Sequence, residues 1–125
     1  IVEKTISKMR DEYNTNPEEC ISLIGPSISK ERFEVGDEVY DMFKNEKFNM
    51  KDIASLFPIA NNQGKHKWHI DLWAANKLQL IETGIKESNI EIAGICTYDN
   101  ADTYFSARKL GVSSGRIITG IMITK

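Results

Sequence analysis

From Ile70 to Thr83 the chain carries a helical pattern that limits what its neighbours can be. Leu72, Trp73, Ala75, Leu78, Leu80 and Ile81 give this segment a broad apolar face, and Gly84 stands where a left-handed residue closes a helix. A face that wide needs other layers to cover it. Val2, Ile6, Met9 and Tyr13 recur at spacings of three and four, which predicts a first helix over Val2 to Tyr13, stopped by Asn14-Thr15-Asn16-Pro17. Cys20 to Ile24 is a short apolar run closed by Gly25-Pro26 and reads as a buried strand. Phe33-Glu34-Val35 reads as a second extended piece.

Gly36 and Asp37 open a helix through Glu38, Val39, Met42 and Phe43, with Asp37 expected at its N-cap. Met50 to Leu56 predicts a helical turn or two before Phe57-Pro58, and Asn61 to Lys65 an exposed, mobile polar loop. Asn89 to Ile95 reads as a strand, Ala101 to Lys109 as a short helix or turn, and the β-branched run Ile117 to Ile123 as a last strand. The expected fold class is α+β, a mixed sheet flanked by helices. Residues 1–125 are expected to form part of a larger single domain.

Charge and composition remove several function classes. Sixteen basic residues stand against 18 acidic ones, a net charge of −2, which gives no electrostatic case for a nucleic-acid partner or an anionic membrane. The hydrophobic fraction of 41% and charged fraction of 27% are those of a soluble globular protein. No apolar stretch has the length to span a bilayer. Ile1-Val2-Glu3-Lys4-Thr5 is neither a signal nor a transit peptide, and without a Met it predicts either that residues were removed or that this is a piece of a longer chain. Two cysteines, Cys20 and Cys96, predict reduced thiols in a cytoplasmic protein rather than a disulfide framework.

Several side chains are candidates for chemistry. His66 and His69 flank Trp68, with Asp71 beyond, but a spacing of three at a loop–helix junction does not suit a helical metal pair. The expected roles are a loop residue for His66 and a dipole-stabilised first-turn acid for Asp71. Cys96 has no His nearby in sequence to activate it, so it reads as a buried, inert thiol, as does Cys20. Arg108, Lys109 and Arg116 are different, because a guanidinium offers a fork of donors that matches phosphate or carboxylate. Ser113-Ser114-Gly115 supplies a turn with backbone N–H groups beside them. Spacing alone leaves open whether these basic residues bind an anion or stay solvated. Tyr104 and Phe105 read as core rather than as a stacking platform. Gly25-Pro26-Ser27-Ile28 either shapes a pocket wall or only turns the chain.

Three stretches together resemble the C-terminal half of the bacterial multicopper polyphenol oxidase (laccase-like) family. They are Ile24 to Ile28 with Phe33 to Val39; Trp68 to Asn76 continuing to Asn89-Ile90; and Cys96 to Asn100 with Phe105 to Lys109 and Gly115-Arg116. Members of that family are understood as purine nucleoside phosphorylases with an adenosine deaminase side activity. The resemblance therefore implies an α+β enzyme acting on a purine nucleoside and phosphate, with zinc, or less readily copper, as its metal. It implies metal ligands in an N-terminal half, in motifs with a Cys after Ala-Asp and a His before Ala-Gly-Trp-Arg. Neither motif occurs here, so no metal ligand is assigned within the chain, and the expected partner is that missing N-terminal half.

The family stretch Phe-Phe-Ser-x-Arg-Arg corresponds to Tyr104 to Lys109, where Lys109 keeps the charge and loses the fork. The Thr-Gly-Arg turn corresponds to Ser114-Gly115-Arg116. By resemblance, Phe105, Ser106, Arg108, Lys109 and Arg116 are the expected substrate-binding residues, at a pocket rim. The competing expectations are a non-catalytic domain that binds a nucleotide-like ligand or a partner, and a copper-dependent phenol oxidase.

Overall fold

A computed structural model describes residues 1–59 and 64–124. The fold is α+β, with two small sheets, one parallel and one antiparallel, and helices packed against them. Helix α1, Val2–Tyr13, has the bounds its periodicity predicts. It stops because Asn14 adopts the left-handed conformation (φ 51°, ψ 35°) and turns its N–H back to the Met9 carbonyl. Asn16 then caps a short 3-10 turn at Pro17–Glu19, its side chain accepting the Glu18 N–H at 3.2 Å.

Strand β1, Ser22–Ile24, pairs in parallel with β5, Ile90–Ile92. The pairing continues past Gly25-Pro26. Ala93 N–H reaches the Ile24 carbonyl at 2.9 Å, Ser27 N–H the Ile95 carbonyl at 3.1 Å, and Thr97 N–H the Ser27 carbonyl at 3.1 Å. The bend therefore leaves the two chains together, and residues 25–28 and 95–97 emerge side by side at one end of the sheet.

The antiparallel sheet runs β2, Glu34–Val35, then β4, His66–Ile70, then β3, Ala54–Pro58, with β4 in the middle. The short helix α3 covers only Met50–Ile53, and the segment after it is the β3 strand, not further helix. β3 and β4 form a hairpin in which Ala54 faces Ile70 and Pro58 faces His66. His66 thus lies on a strand rather than in the expected loop: register with β3 draws it into the ladder. Of the expected polar loop, residues 61–63 lie outside the described residues. Gly64 has φ +76°, and the Lys65 carbonyl accepts the Ile59 N–H at 3.0 Å.

Helix α2, Asp37–Asn45, is capped by the extended backbone of Gly36 and not by Asp37, which occupies the first helical position. The Gly36 carbonyl accepts from Val39 and Tyr40, both at 3.2 Å, and Asp37 still lies where the helix dipole favours an acid. Tyr40 stacks on Trp68 of β4, ring centroids 4.1 Å apart, which docks α2 on the sheet. Helix α4, Leu72–Glu82, begins two residues later than expected, because Ile70 completes β4 and Asp71 is the cap. The Asp71 carboxylate accepts the Ala74 N–H at 2.9 Å, and its own N–H reaches the Ile53 carbonyl at 2.7 Å. At the other end Gly84, φ +98°, allows Gly84 N–H and Ile85 N–H to return to the carbonyls of Ile81 and Leu80. That closure drives Ile85 back under the helix.

Two apolar clusters result. Val35, Ile53, Ile70 and Ala75 fill the space between the antiparallel sheet, α2, α3 and α4. Ile6, Leu80 and Ile85 fill the space between α1, α4 and the parallel pair. Ile53 and Ile70 lose all their exposure, each contributing roughly 2 kcal/mol by burial. α4 touches both clusters, which accounts for the width of its apolar face.

The last expected strand does not form. Residues 117–124 have no ladder partner, and Ile118 is 98% exposed. β-branched residues favour extended backbone, but a strand exists only where another edge supplies its hydrogen bonds, and none does among the described residues. The region expected as a short helix or turn is a series of turns followed by α5, Ala107–Leu110.

Candidate functional site

The end of the parallel pair, α5 and the turn after it frame an open pocket of about 410 Å³. Ser27, Thr97, Ser106, Arg108 and Arg116 give it polar character, and Phe33 and Phe105 give it aromatic walls. Ser27 and Thr97 arrive there through the ladder that survives the Gly25-Pro26 bend. Trp73 of α4 fixes the first of them, its indole N–H donating to Ser27 Oγ at 2.6 Å. Ser106 is buried ahead of α5, and its carbonyl receives the Leu110 N–H at 2.7 Å.

Both arginines face this pocket and both are oriented by carbonyl oxygens. Arg108 Nη1 donates to the Glu34 carbonyl at 2.7 Å, and its guanidinium lies 5.2 Å from the centroid of the Phe33 ring. Arg116 Nη1 donates to the carbonyls of Ser114 and Gly115 in its own turn, the latter at 3.1 Å. Neither arginine takes part in an ion pair among the described residues, where the pairs are Lys8 with Glu12, Arg32 with Asp99, Lys77 with Glu87 and Lys86 with Glu18. A guanidinium has five donors, and neutral acceptors hold it in place without cancelling its charge. The result is two oriented positive forks on one small concavity, an arrangement suited to an anion with several oxygens.

Of the five residues expected at the rim, Phe105, Ser106, Arg108 and Arg116 line the pocket. Lys109 does not. Successive residues of a helical turn point about 100° apart, and Lys109 Nζ lies 5.3 Å from the centroid of Tyr98 instead. Arg32 approaches the same ring at 5.3 Å and is itself paired with Asp99 at 2.7 Å. Phe105 is 56% exposed, so the reading of it as a core residue fails: its ring covers the Gly115 turn and otherwise faces the pocket. Ser27, Thr97 and Phe33 escaped assignment from the sequence. The Gly25-Pro26 bend after a strand was the available signal for Ser27, whereas Thr97 and Phe33 are small or apolar residues with no pattern of their own.

The remaining candidates are structural. Cys96 is buried and its sulfur accepts the Ser29 N–H at 3.4 Å; it and Cys20 are both free thiols. His66 and His69, three apart on a strand, point to opposite faces of β4. His69 is buried with Nδ1 2.9 Å from the Lys30 carbonyl, an acceptor, so Nδ1 carries the proton. Among the described residues no three of His, Cys, Asp or Glu converge in a way that would hold a metal ion, so these residues do not fit the metal that the laccase-like resemblance implies.

A second, wider groove of about 1030 Å³ lies between α1, β1, α4 and the C-terminal segment. Its walls are largely apolar, with hydroxyls and the Asn76 amide among them, and no Arg or Lys side chain lines it among the described residues.

The chain belongs to the family described as multi-copper polyphenol oxidoreductase laccase, which residues 1–124 match. Across 125 residues it is 46% identical to a purine nucleoside phosphorylase of Bacteroides thetaiotaomicron, covering 100% of this chain and 44% of that protein. Across 100 residues it is 44% identical to Adenosine deaminase RL5 of an unknown prokaryotic organism, covering 80% of this chain and 36% of that one. A crystal structure of the Bacillus licheniformis hypothetical protein YfiH has the same fold, with a TM-score of 0.73 at 23% identity over 87% of this chain and 39% of that chain. The chain thus spans less than half the length of the curated relatives it matches. No helix among the described residues is long and apolar enough to cross a membrane.

Proposed function

We propose that this chain is the arginine-bearing part of a cytoplasmic purine nucleoside phosphorylase that also deaminates adenosine. The observation that carries the reading is the pair Arg108 and Arg116 on one pocket, held by carbonyls and, among the described residues, without a carboxylate partner. In phosphorolysis a phosphate oxygen forms a bond to C1′ of the ribose as the bond from C1′ to the base nitrogen breaks. The base leaves with the bonding electrons and takes up a proton. The two guanidiniums hold the phosphate, offset its charge and orient one oxygen towards the sugar. Phe105 and Ser106 line the same pocket, where an aromatic ring and a hydroxyl suit the base and ribose.

The rest of the site belongs to residues beyond these 125. Zinc, in preference to copper, is the metal of the complete enzyme and is held by that other part. The apolar groove supports the same reading. Ile21, Leu23 and Ile121 are exposed along it, and the chain spans 44% of the Bacteroides relative. A surface of that size needs cover, and the remaining half of one larger domain supplies it.

The test is the full-length gene product incubated with inosine and inorganic phosphate. Release of hypoxanthine and ribose 1-phosphate in equal amounts is expected, with loss of both in R108A and R116A. An intact, folded, metal-loaded protein that forms neither product overturns the reading.

A further inference from the structure

Gly25 and Gly115 are glycines for a reason the backbone does not explain. Neither has a φ in the left-handed region, where Gly64, Gly84, Gly94 and Gly111 lie. What excludes a side chain at both is contact. A Cβ at Gly115 would meet the ring of Phe105 at 2.8 Å, and a Cβ at Gly25 would meet the Thr119 methyl at 2.6 Å. Both distances are well inside van der Waals contact. Arg116 lies between these two close approaches. Among the described residues no backbone hydrogen bond ties 116–124 to the rest of the protein.

We propose that Gly115 and Gly25 are positioning residues for Arg116. They are two seats, one beneath Phe105 and one against Thr119, that hold the Ser114–Thr119 segment to the body and so fix the guanidinium in the pocket. The proposal rests on the reading of that pocket as a phosphate site. A methyl at either seat pushes the segment outward, since among the described residues no backbone hydrogen bond holds 116–124 in place. Arg116 moves with it, away from the pocket it shares with Arg108.

The test measures binding of inorganic phosphate to the full-length protein by titration calorimetry, apart from any assay of turnover. G115A and G25A are each expected to weaken phosphate binding about tenfold or more, the loss of roughly one charge-assisted hydrogen bond. The control is G120A, on the same segment, where a Cβ meets nothing within 4 Å and φ is not left-handed; it binds phosphate as wild type does. Adding T119A to G25A removes the methyl and hydroxyl that the new Cβ would strike, and recovers most of the lost affinity, which a general loss of stability would not. Thermal melts of all variants separate unfolding from misplacement. If G115A and G25A are folded and bind phosphate like wild type, or if T119A fails to rescue G25A, the proposal is overturned. If wild type binds phosphate and the variants behave as expected but no phosphorolysis occurs, the seats stand and the reading as a phosphorylase falls. A wild-type protein that binds no phosphate overturns both.

Discussion

The indole N–H of Trp73 donates to Ser27 Oγ at 2.6 Å, joining the first turn of α4 to the bend that follows β1. Ser27 in turn exchanges backbone hydrogen bonds with Ile95 and Thr97 and lines the pocket that Arg108 and Arg116 share. One side chain therefore ties the main helix, the parallel ladder and the candidate site together. S27A leaves a half-buried indole N–H without its acceptor and is expected to cost about 1–2 kcal/mol. Urea denaturation of S27A, W73F and the double variant checks this: the pair should be less than additive. Strict additivity would show that the bond contributes nothing.

Asp71 ends β4 and starts α4, and its carboxylate accepts the Ala74 N–H. D71A is expected to destabilise the protein by about 1 kcal/mol, with D71N or D71S recovering most of it, because an oxygen acceptor and not the charge is what the cap needs. Equal losses in D71A and D71N would assign the effect to the helix dipole instead.

Ile53 is fully buried between α3, β4 and α4. I53A opens a cavity where both sheet and helix pack, at an expected cost of about 2–5 kcal/mol. I53V should cost about 1 kcal/mol. A chemical-denaturation midpoint unchanged in I53A would place the core elsewhere.

Glu87 is hydrogen-bonded to Lys77 at 2.7 Å, and that bond and the lysine charge hold its carboxyl below the usual glutamate range. A group whose pKa falls on folding binds fewer protons in the native state, so its contribution to stability is present above the ordinary glutamate pKa and is lost as the pH drops through the lowered one. Carbon-detected NMR titration should find the Glu87 midpoint below that of an unpaired glutamate, and K77M should return it to the ordinary range. An unshifted midpoint in wild type would remove the ion pair from solution.

On the proposed reading, Arg108 and Arg116 hold phosphate partly through charge, and both are exposed to the salt of the solution. R108K keeps the charge and loses the fork, so it should retain part of the phosphate affinity, whereas R108A should lose about tenfold or more. Raising the salt from about 0.01 M to 0.15 M shortens the screening length from about 30 Å to 8 Å and should weaken phosphate binding to wild type more than to R108A. Calorimetry at the two salt concentrations reads both effects, and a salt-independent affinity would argue against charge-led binding.

The sequence determined the local structure wherever a short stretch settles its own conformation. The spacing of Val2, Ile6, Met9 and Tyr13 set α1 to the residue, and Asn14 and Gly84 ended their helices because each takes a left-handed backbone that others resist. Motif order named Phe105, Ser106, Arg108 and Arg116 in advance. Only the tertiary structure decided which side chains meet. It drew His66 into a strand through its register with β3, turned Lys109 away onto Tyr98, and brought Ser27 and Thr97 beside arginines some eighty and ten residues further on. Among the described residues it also left Ile117 to Ile123 without a ladder, although their β-branched character favours one. Helical periodicity and turn chemistry are satisfied within a few residues, so the sequence displays them. A strand or a pocket is completed by groups far away in the chain, and its existence depends on whether packing delivers them.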